Sequence, residues 1–427
     1  MGAVLIISFL LLLLAGVPIA LSIGASSLLV FFLADLPLQA VPQTLFSGVN
    51  SFALVAVPFF VLAGDLLARG GISERIVAFA DAAFSGLRGG LSIVSVVASM
   101  FIAAISGSGA ATTAAVGSAL LPQLKERGYD LDFSAALIAS AGTIGVVIPP
   151  SVPMVLYAVI AGVSVGKLFM GGFIPGFFMG GMLILYSLYI ANKRKYPASP
   201  PVSAKIKRKL FLDALWGLMT PVIILGGIFG GIFTPSEAAA VAVAYSVAVA
   251  AFVYKALDFK KLYQLTVGAG VTSSIIMFII ATAKVFGWSL AYYQIPETVA
   301  NLLLQLAGNT PMLVYLMMVL IVLLAGMFME TASALVILTP IFIPIVQQLG
   351  GDLVHFGLVV TVGLAIGMAT PPVAIDIYVA SAVTGLSMEE ISKPIMPMVG
   401  ALIVVLLLIT FFPSLVLFLP RFLSGGV

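Results

Sequence analysis

The chain has 427 residues, of which 62% are hydrophobic and 8% charged. A soluble domain carries about 25% charged residues, so 19 basic and 16 acidic side chains cannot cover a water-exposed surface of this size. A soluble enzyme, a disordered protein and a nucleic-acid binder are thereby disfavoured, since a net charge of +3 is too thin to neutralise phosphates.

What remains is an all-α integral membrane protein of the lipid bilayer. Its apolar runs are long and unbroken, unlike the short alternating segments of an outer-membrane barrel. There is no cysteine, and His355 is the one histidine. Thiolate chemistry is therefore absent, and a histidine-rich metal site or a Ser-His-Asp triad would rest on His355 alone.

Apolar stretches of spanning length lie at 3–33, 52–68, 91–125, 131–161, 166–191, 213–232, 236–256, 264–283, 311–348, 354–385 and 393–420. The first carries no basic n-region and is too long for a signal peptide, so it reads as one retained membrane helix. A single crossing takes roughly 20 residues. The stretches 91–125, 131–161, 311–348 and 354–385 exceed that and carry Gly, Pro or Ser/Thr breaks near their middles. Such breaks free backbone polar groups and are tolerated only where protein or a watery cavity satisfies them.

Two segments read as interfacial amphipathic helices. Residues 72–88 set apolar positions beside Glu74, Arg75 and Asp81; residues 288–307 mix Trp288, Tyr292 and Tyr293 with Gln294 and Glu297.

The loop 192–209 holds 7 of the 19 basic residues, which places it in the cytoplasm. Arg88, Lys125 and Arg127 then mark a cytoplasmic base for 91–125. The ends of 311–348, around Gly308, Asn309, Thr310 and Gln347, carry no basic residue and suit the opposite face.

A gapless self-match at an offset of 222 pairs Pro122 with Pro344, Gly128 with Gly350, Asp130 with Asp352, Gly145 with Gly367, Pro149-Pro150 with Pro371-Pro372 and Pro175 with Pro397. Gly and Pro coinciding at one offset point to duplication. Opposite charge bias at the two bases makes the repeat inverted. Inverted repeats with matched Gly/Pro breaks point to a secondary transporter with its site at the repeat interface.

Four motifs carry the chemistry. Ser106-Gly107-Ser108-Gly109, followed by Thr112, lies between two half-length apolar runs and reads as a re-entrant hairpin tip. Its N–H groups would attract a carboxylate, its hydroxyls and freed carbonyls could hold sodium, or its small residues could simply pack. Its mate, Met329-Glu330-Thr331, carries an acid that could cap the next helix, bind a cation or take a proton.

Gly142-Thr143 through Val147 to Pro149-Pro150-Ser151, and Gly367 through Thr370 to Pro371-Pro372, cannot continue a helix across the double proline. They read as unwound spans aiming carbonyls at a cavity, or as bare kinks. Asp376, one turn past Pro372, is a functional candidate because of its apolar surroundings. Lys284 could pair with an acid or snorkel. Asp65 and Glu237 suit capping or interfacial exposure, and His355 a loop contact. No metalloprotease HExxH and no phosphate-binding loop is present, so an ion gradient must supply energy.

These four motifs, in order along nearly the whole chain, resemble the large membrane subunit of tripartite ATP-independent periplasmic (TRAP) transporters, of DctM/SiaM type. They look closer to the sialic-acid branch than to the C4-dicarboxylate branch.

The resemblance implies an ion-transporter-superfamily-like fold with two re-entrant hairpins and two unwound helices, moving as an elevator. It implies sodium-driven uptake of an organic acid across the bacterial inner membrane. Its expected partners are a small four-helix membrane subunit and a periplasmic substrate-binding protein. No cofactor is expected beyond sodium as coupling ion. One sodium site would use Ser106, Gly107, Ser108 and Gly109 with Gly142, Thr143, Val147 and Pro149. The other would use Met329, Glu330 and Thr331 with Gly367, Thr370 and Pro371. Substrate would lie near Ser108, Thr112, Pro150, Ser151, Thr331 and Asp376.

The implied organisation is a scaffold and first arm over 1–90 and a first transport repeat over 91–165. Loop, scaffold and second arm follow over 166–307, then a second transport repeat over 311–392 and a scaffold helix over 393–427. A membrane enzyme using Glu330 or Asp376 lacks an accompanying nucleophile or metal cluster. A passive channel conflicts with two hairpins entering from opposite sides.

Overall fold

The computed structural model describes residues 1–308 and 310–423; Asn309, invoked above for charge bias, lies outside them. Among the described residues, 8 helices are long and apolar enough to cross a membrane.

The first 33 residues do not form one helix. They fold as α1 (Gly2–Leu14) and α2 (Ile19–Leu33), packed on one another across a turn in which Gly16 adopts a φ of 80°. Only glycine takes that left-handed conformation freely. Next come α3 (Ala40–Val49), α4 (Ala56–Arg69) and the amphipathic α5 (Ile72–Ala83).

The first long break is a helical hairpin, α6 (Gly90–Ser106) and α7 (Gly109–Glu126). The second is a span interrupted between α8 (Leu131–Gly142) and α9 (Val152–Ala161). Then follow α10 (Val165–Lys193), α11 (Ala204–Phe229), α12 (Pro235–Ala248), α13 (Phe259–Tyr292) and α14 (Ile295–Leu306). Trp288 and Tyr292 therefore end the 34-residue α13 and do not begin an interfacial helix. The turn between α13 and α14 breaks what sequence pattern joined over 288–307.

The chain closes with α15 (Pro311–Phe328), α16 (Thr331–Gln348), α17 (Leu353–Gly367), α18 (Ile375–Thr384), α19 (Met388–Phe411) and α20 (Pro413–Leu423).

The offset of the sequence self-match recurs in the element bounds. α7 and α16 begin at Gly109 and Thr331 and end at Glu126 and Gln348, and α8 and α17 begin at Leu131 and Leu353. All three pairs keep the 222-residue offset of the sequence match. Gly128 and Gly350 turn the chain after each hairpin with φ of 76° and 70°, and Pro149-Pro150 and Pro371-Pro372 are both cis.

The basic loop is ordered by charge. Arg194 lies 2.5 Å from the Asp130 carboxylate, to which the Tyr196 hydroxyl also donates at 2.6 Å. Arg127 donates to Ser199 at 2.8 Å and pairs with Asp81 of α5 at 3.3 Å. The loop thus straps the base of the first hairpin to α5. The Tyr196 hydrogen bond, and then the Arg194 guanidinium, hold the Asp130 carboxyl below the usual carboxylate range.

Candidate functional site

Each hairpin tip exists because the backbone turns sharply between two half-helices. At the first, Gly107 closes α6 with a φ of 62°, and Ser108 then turns extended and caps α7 through its Oγ, 3.4 Å from Ala111 N. At the second, Glu330 is the corresponding cap of α16. One carboxylate oxygen accepts from the N–H groups of Ala332 at 2.9 Å and Ser333 at 3.3 Å. Of the three roles open to Glu330, capping is the one this geometry displays. The positive end of α16 answers its charge.

The first tip packs into the first break. A Cβ placed on Gly145 would lie 2.5 Å from the Ser108 carbonyl oxygen and 2.7 Å from Thr112 Oγ1; one on Gly107 would lie 2.7 Å from the Pro150 carbonyl oxygen. A Cβ on Gly142 would collide with the Thr113 hydroxyl. Thr112 Oγ1 donates to the Ser108 carbonyl at 2.8 Å and lies 2.9 Å from Ser106 Oγ. Ser151 donates to the Val146 carbonyl at 2.6 Å and caps α9. Thr143 donates to the Ser140 carbonyl at 2.7 Å, inside its own helical turn.

The second tip meets the second break in the same manner. Gly367 abuts Gly326 so closely that a Cβ on Gly367 would lie 2.4 Å from the Gly326 carbonyl carbon. Thr331 Oγ1 lies 2.9 Å from the Met368 sulfur, and Val373 N donates to the Met327 carbonyl at 3.3 Å. Thr370 donates to the Ile366 carbonyl at 2.8 Å.

Both tips open on one cavity of about 240 Å³. It is lined by 106–109 from the first tip and by Glu330, Ala332 and Met368 from the second repeat. Gly64 and Asp65 of α4 and Thr272 of α13 close the opposite wall. Asp65, read from sequence as a cap or interfacial charge, is instead a wall of this cavity. Its place near the end of an apolar run concealed that, because only the packing of α4 on α13 turns it inward.

Of the six residues carried over for substrate, Ser108 lines the cavity. Thr112, Pro150, Ser151, Thr331 and Asp376 are buried behind it.

Asp376 lies in the first turn of α18, fully buried, and neither carboxylate oxygen has a hydrogen-bond partner. It sits against the start of α7: a Cβ on Gly109 would be 3.1 and 3.3 Å from its two oxygens. A buried carboxylate without a partner is costly, so this one calls for a cation or a proton. The unpaired Thr113 hydroxyl lies one turn along α7. An unpartnered carboxylate and hydroxyl are oxygen ligands of the kind a hard cation such as sodium takes.

His355 is no loop contact. It is buried in the first turn of α17, with Nε2 2.8 Å from the Ile409 carbonyl. Glu237 completes a capping box with Thr234.

A family model for the DctM component of tripartite ATP-independent periplasmic transporters matches residues 6–415. The chain belongs to this family. It is accordingly a transporter component and not an enzyme, a multi-pass protein of the inner membrane. It is 42% identical over 419 residues to the isethionate TRAP transporter permease DctMQ of Oleidesulfovibrio alaskensis, which covers 98% of this chain. The chain spans 65% of that relative's length.

The C4-dicarboxylate large permease DctM of Pseudomonas aeruginosa is 40% identical over 94% of this chain and 93% of its own. The sialic acid permease SiaT of Haemophilus influenzae is 35% identical over 96% of this chain and 66% of its own. In fold, the chain is similar to the crystal structure of the Alcanivorax borkumensis YdaH transporter. The TM-score is 0.65 at 16% sequence identity, over 88% of this chain and 89% of that one.

Proposed function

We propose that this chain carries out sodium-coupled, secondary-active uptake of an organic acid. The supporting observation is the convergence of two hairpin tips and two broken spans on one cavity, with the unpartnered Asp376 carboxylate buried behind it. Freed carbonyls and hydroxyls at 106–109 with 142–149, and at 329–331 with 367–371, would hold the coupling ions. A cation near Asp376 offsets the cost of its burial, which ties ion occupancy to the packing of α18 on α7.

The two repeats enter from opposite faces on the charge bias of their bases. They move together as an elevator against a scaffold that includes α4 and α13. A periplasmic binding protein delivers the acid, and a small four-helix membrane subunit completes the complex. Relatives named for isethionate, C4-dicarboxylates and sialic acid support small organic acids as the cargo class.

The test is uptake by proteoliposomes carrying the reconstituted complex. Labelled acid should accumulate above equilibrium with an inward sodium gradient and not with potassium in its place. Equal accumulation in both would end the sodium reading.

A further inference from the structure

A second, larger cavity of about 560 Å³ lies elsewhere along α13. Its volume falls in the range of small-molecule sites. α3 and α13 form one wall, α9 and α16 the other. The tip cavity uses Thr272 and Ile276 of α13, whereas this one uses the turns from Ile280 to Ala291. The two cavities are therefore stacked along a single helix. Lys260 and Lys261 stand at the tip-cavity end of α13, and Trp288 and Tyr292 at the other. The positive-inside bias assigns the second cavity to the outer half of the membrane.

The two differ in charge. The tip cavity is lined by the acids Asp65 and Glu330 and by no basic residue, while the second is lined by Lys284 and by no acid. Lys284 has no acid within ion-pair reach, for the two ion pairs among the described residues are Arg127–Asp81 and Arg194–Asp130. Its stem crosses α3 at Gly48, where an added Cβ would lie 2.8 Å from the Lys284 Cβ. The absence of a side chain there is what gives the lysine room. Thr44 and Ser51 add hydroxyls to the lining, and Trp288 an indole N–H. An unpaired ammonium, two hydroxyls and an indole N–H in an acid-free cavity match a carboxylate in charge and in donors.

We infer that this cavity is an outer-facing subsite in which Lys284 receives the carboxylate of the organic acid before it reaches the hairpin tips. The inference rests on the proposed function for its direction and cargo, yet it can be tested without transport. Trp288 is one of only two tryptophans, so Trp216→Phe leaves it as the sole indole reporter beside Lys284.

The full chain, carrying Trp216→Phe and held in nanodiscs of zwitterionic lipid, is titrated with succinate, N-acetylneuraminate and sodium chloride. At least one of the two acids should change Trp288 emission saturably, with no such change from chloride. Lys284→Gln should raise the half-saturating concentration at least tenfold, and Lys284→Arg should keep it within about threefold.

No response to either acid would overturn the inference, as would a response matched by chloride or unchanged in Lys284→Gln. So would a response to anionic lipid in the nanodisc that neither acid competes away, since that marks a headgroup site. A saturable, Lys284-dependent response in a protein whose uptake ignores sodium would uphold the subsite and remove the coupling mechanism alone.

Discussion

The carboxylate of Asp376 rests against Gly109, the first residue of α7, and has no other polar contact to hold it. The two residues come from different repeats, α7 from the first and α18 from the second. A side chain at position 109 would have to push the carboxylate back by a few tenths of an ångström. In the proposed mechanism this is where the charge state of Asp376 would be felt by α7.

Sodium should stabilise the wild-type chain through that carboxylate. At sodium ten times its dissociation constant the gain is about 1.4 kcal/mol. Asp376→Asn, which removes the charge, should fold well and lose most of this dependence. Thermal unfolding in nanodiscs, with choline replaced stepwise by sodium, reads the effect. Equal sodium shifts in both proteins would separate Asp376 from the ion.

Gly145→Ala should abolish uptake. Its methyl group would lie 2.5 Å from the Ser108 carbonyl oxygen, which real Cβ atoms do not tolerate, so tip and break must separate. Overpacking of this kind costs about 1–3 kcal/mol, which leaves a foldable protein. Correctly sized particles by size-exclusion chromatography, with uptake intact, would show that the tip need not touch the break.

Glu330→Gln keeps an oxygen acceptor for the Ala332 and Ser333 N–H groups, whereas Glu330→Ala removes it. Losing a cap costs about 1 kcal/mol, so only the alanine variant should melt lower. If capping is the whole role, Glu330→Gln should also keep the wild-type apparent sodium affinity in uptake. A tenfold loss there would assign the charge itself to the ion path.

The loop strap should fail in acid. Asp130 has a folded-state pKa below its ordinary value, set first by the Tyr196 hydroxyl and then by Arg194. A depressed carboxylate contributes stability that is fully present above its unfolded pKa of about 3.9. That contribution disappears as pH falls through the lower folded value. The difference in melting temperature between wild type and Asp130→Asn should hold from pH 7 to about pH 5 and shrink below pH 4. A constant difference across that range would mean that the charge on Asp130 is not what holds the strap.

Much of this arrangement is written in local sequence. A double proline cannot continue a helix, so residues 149–150 and 371–372 announce their breaks. The 222-residue offset then pairs every broken element with its mate. Features that depend on packing are hidden. Asp65 looks like an end-of-helix charge until α4 is laid against α13, and Asp376 gives no sign that its neighbour is Gly109, 267 positions earlier. The split of residues 3–33 into two helices rests on Gly16 and Pro18, a short signal in so apolar a run. Thr112, Ser151 and Thr331 have the right chemistry for a ligand. Only the fold shows their hydroxyls turned to backbone carbonyls or to the Met368 sulfur.

The central claim is that Asp376 and the two tips couple sodium to the acid. Parallel fluxes of radioactive sodium and labelled acid into proteoliposomes of the complete complex test it most directly. Wild type should carry sodium inward only while acid is carried, and Asp376→Asn should lose both fluxes together. Undiminished acid flux in Asp376→Asn, with an unchanged dependence on sodium, would contradict the account.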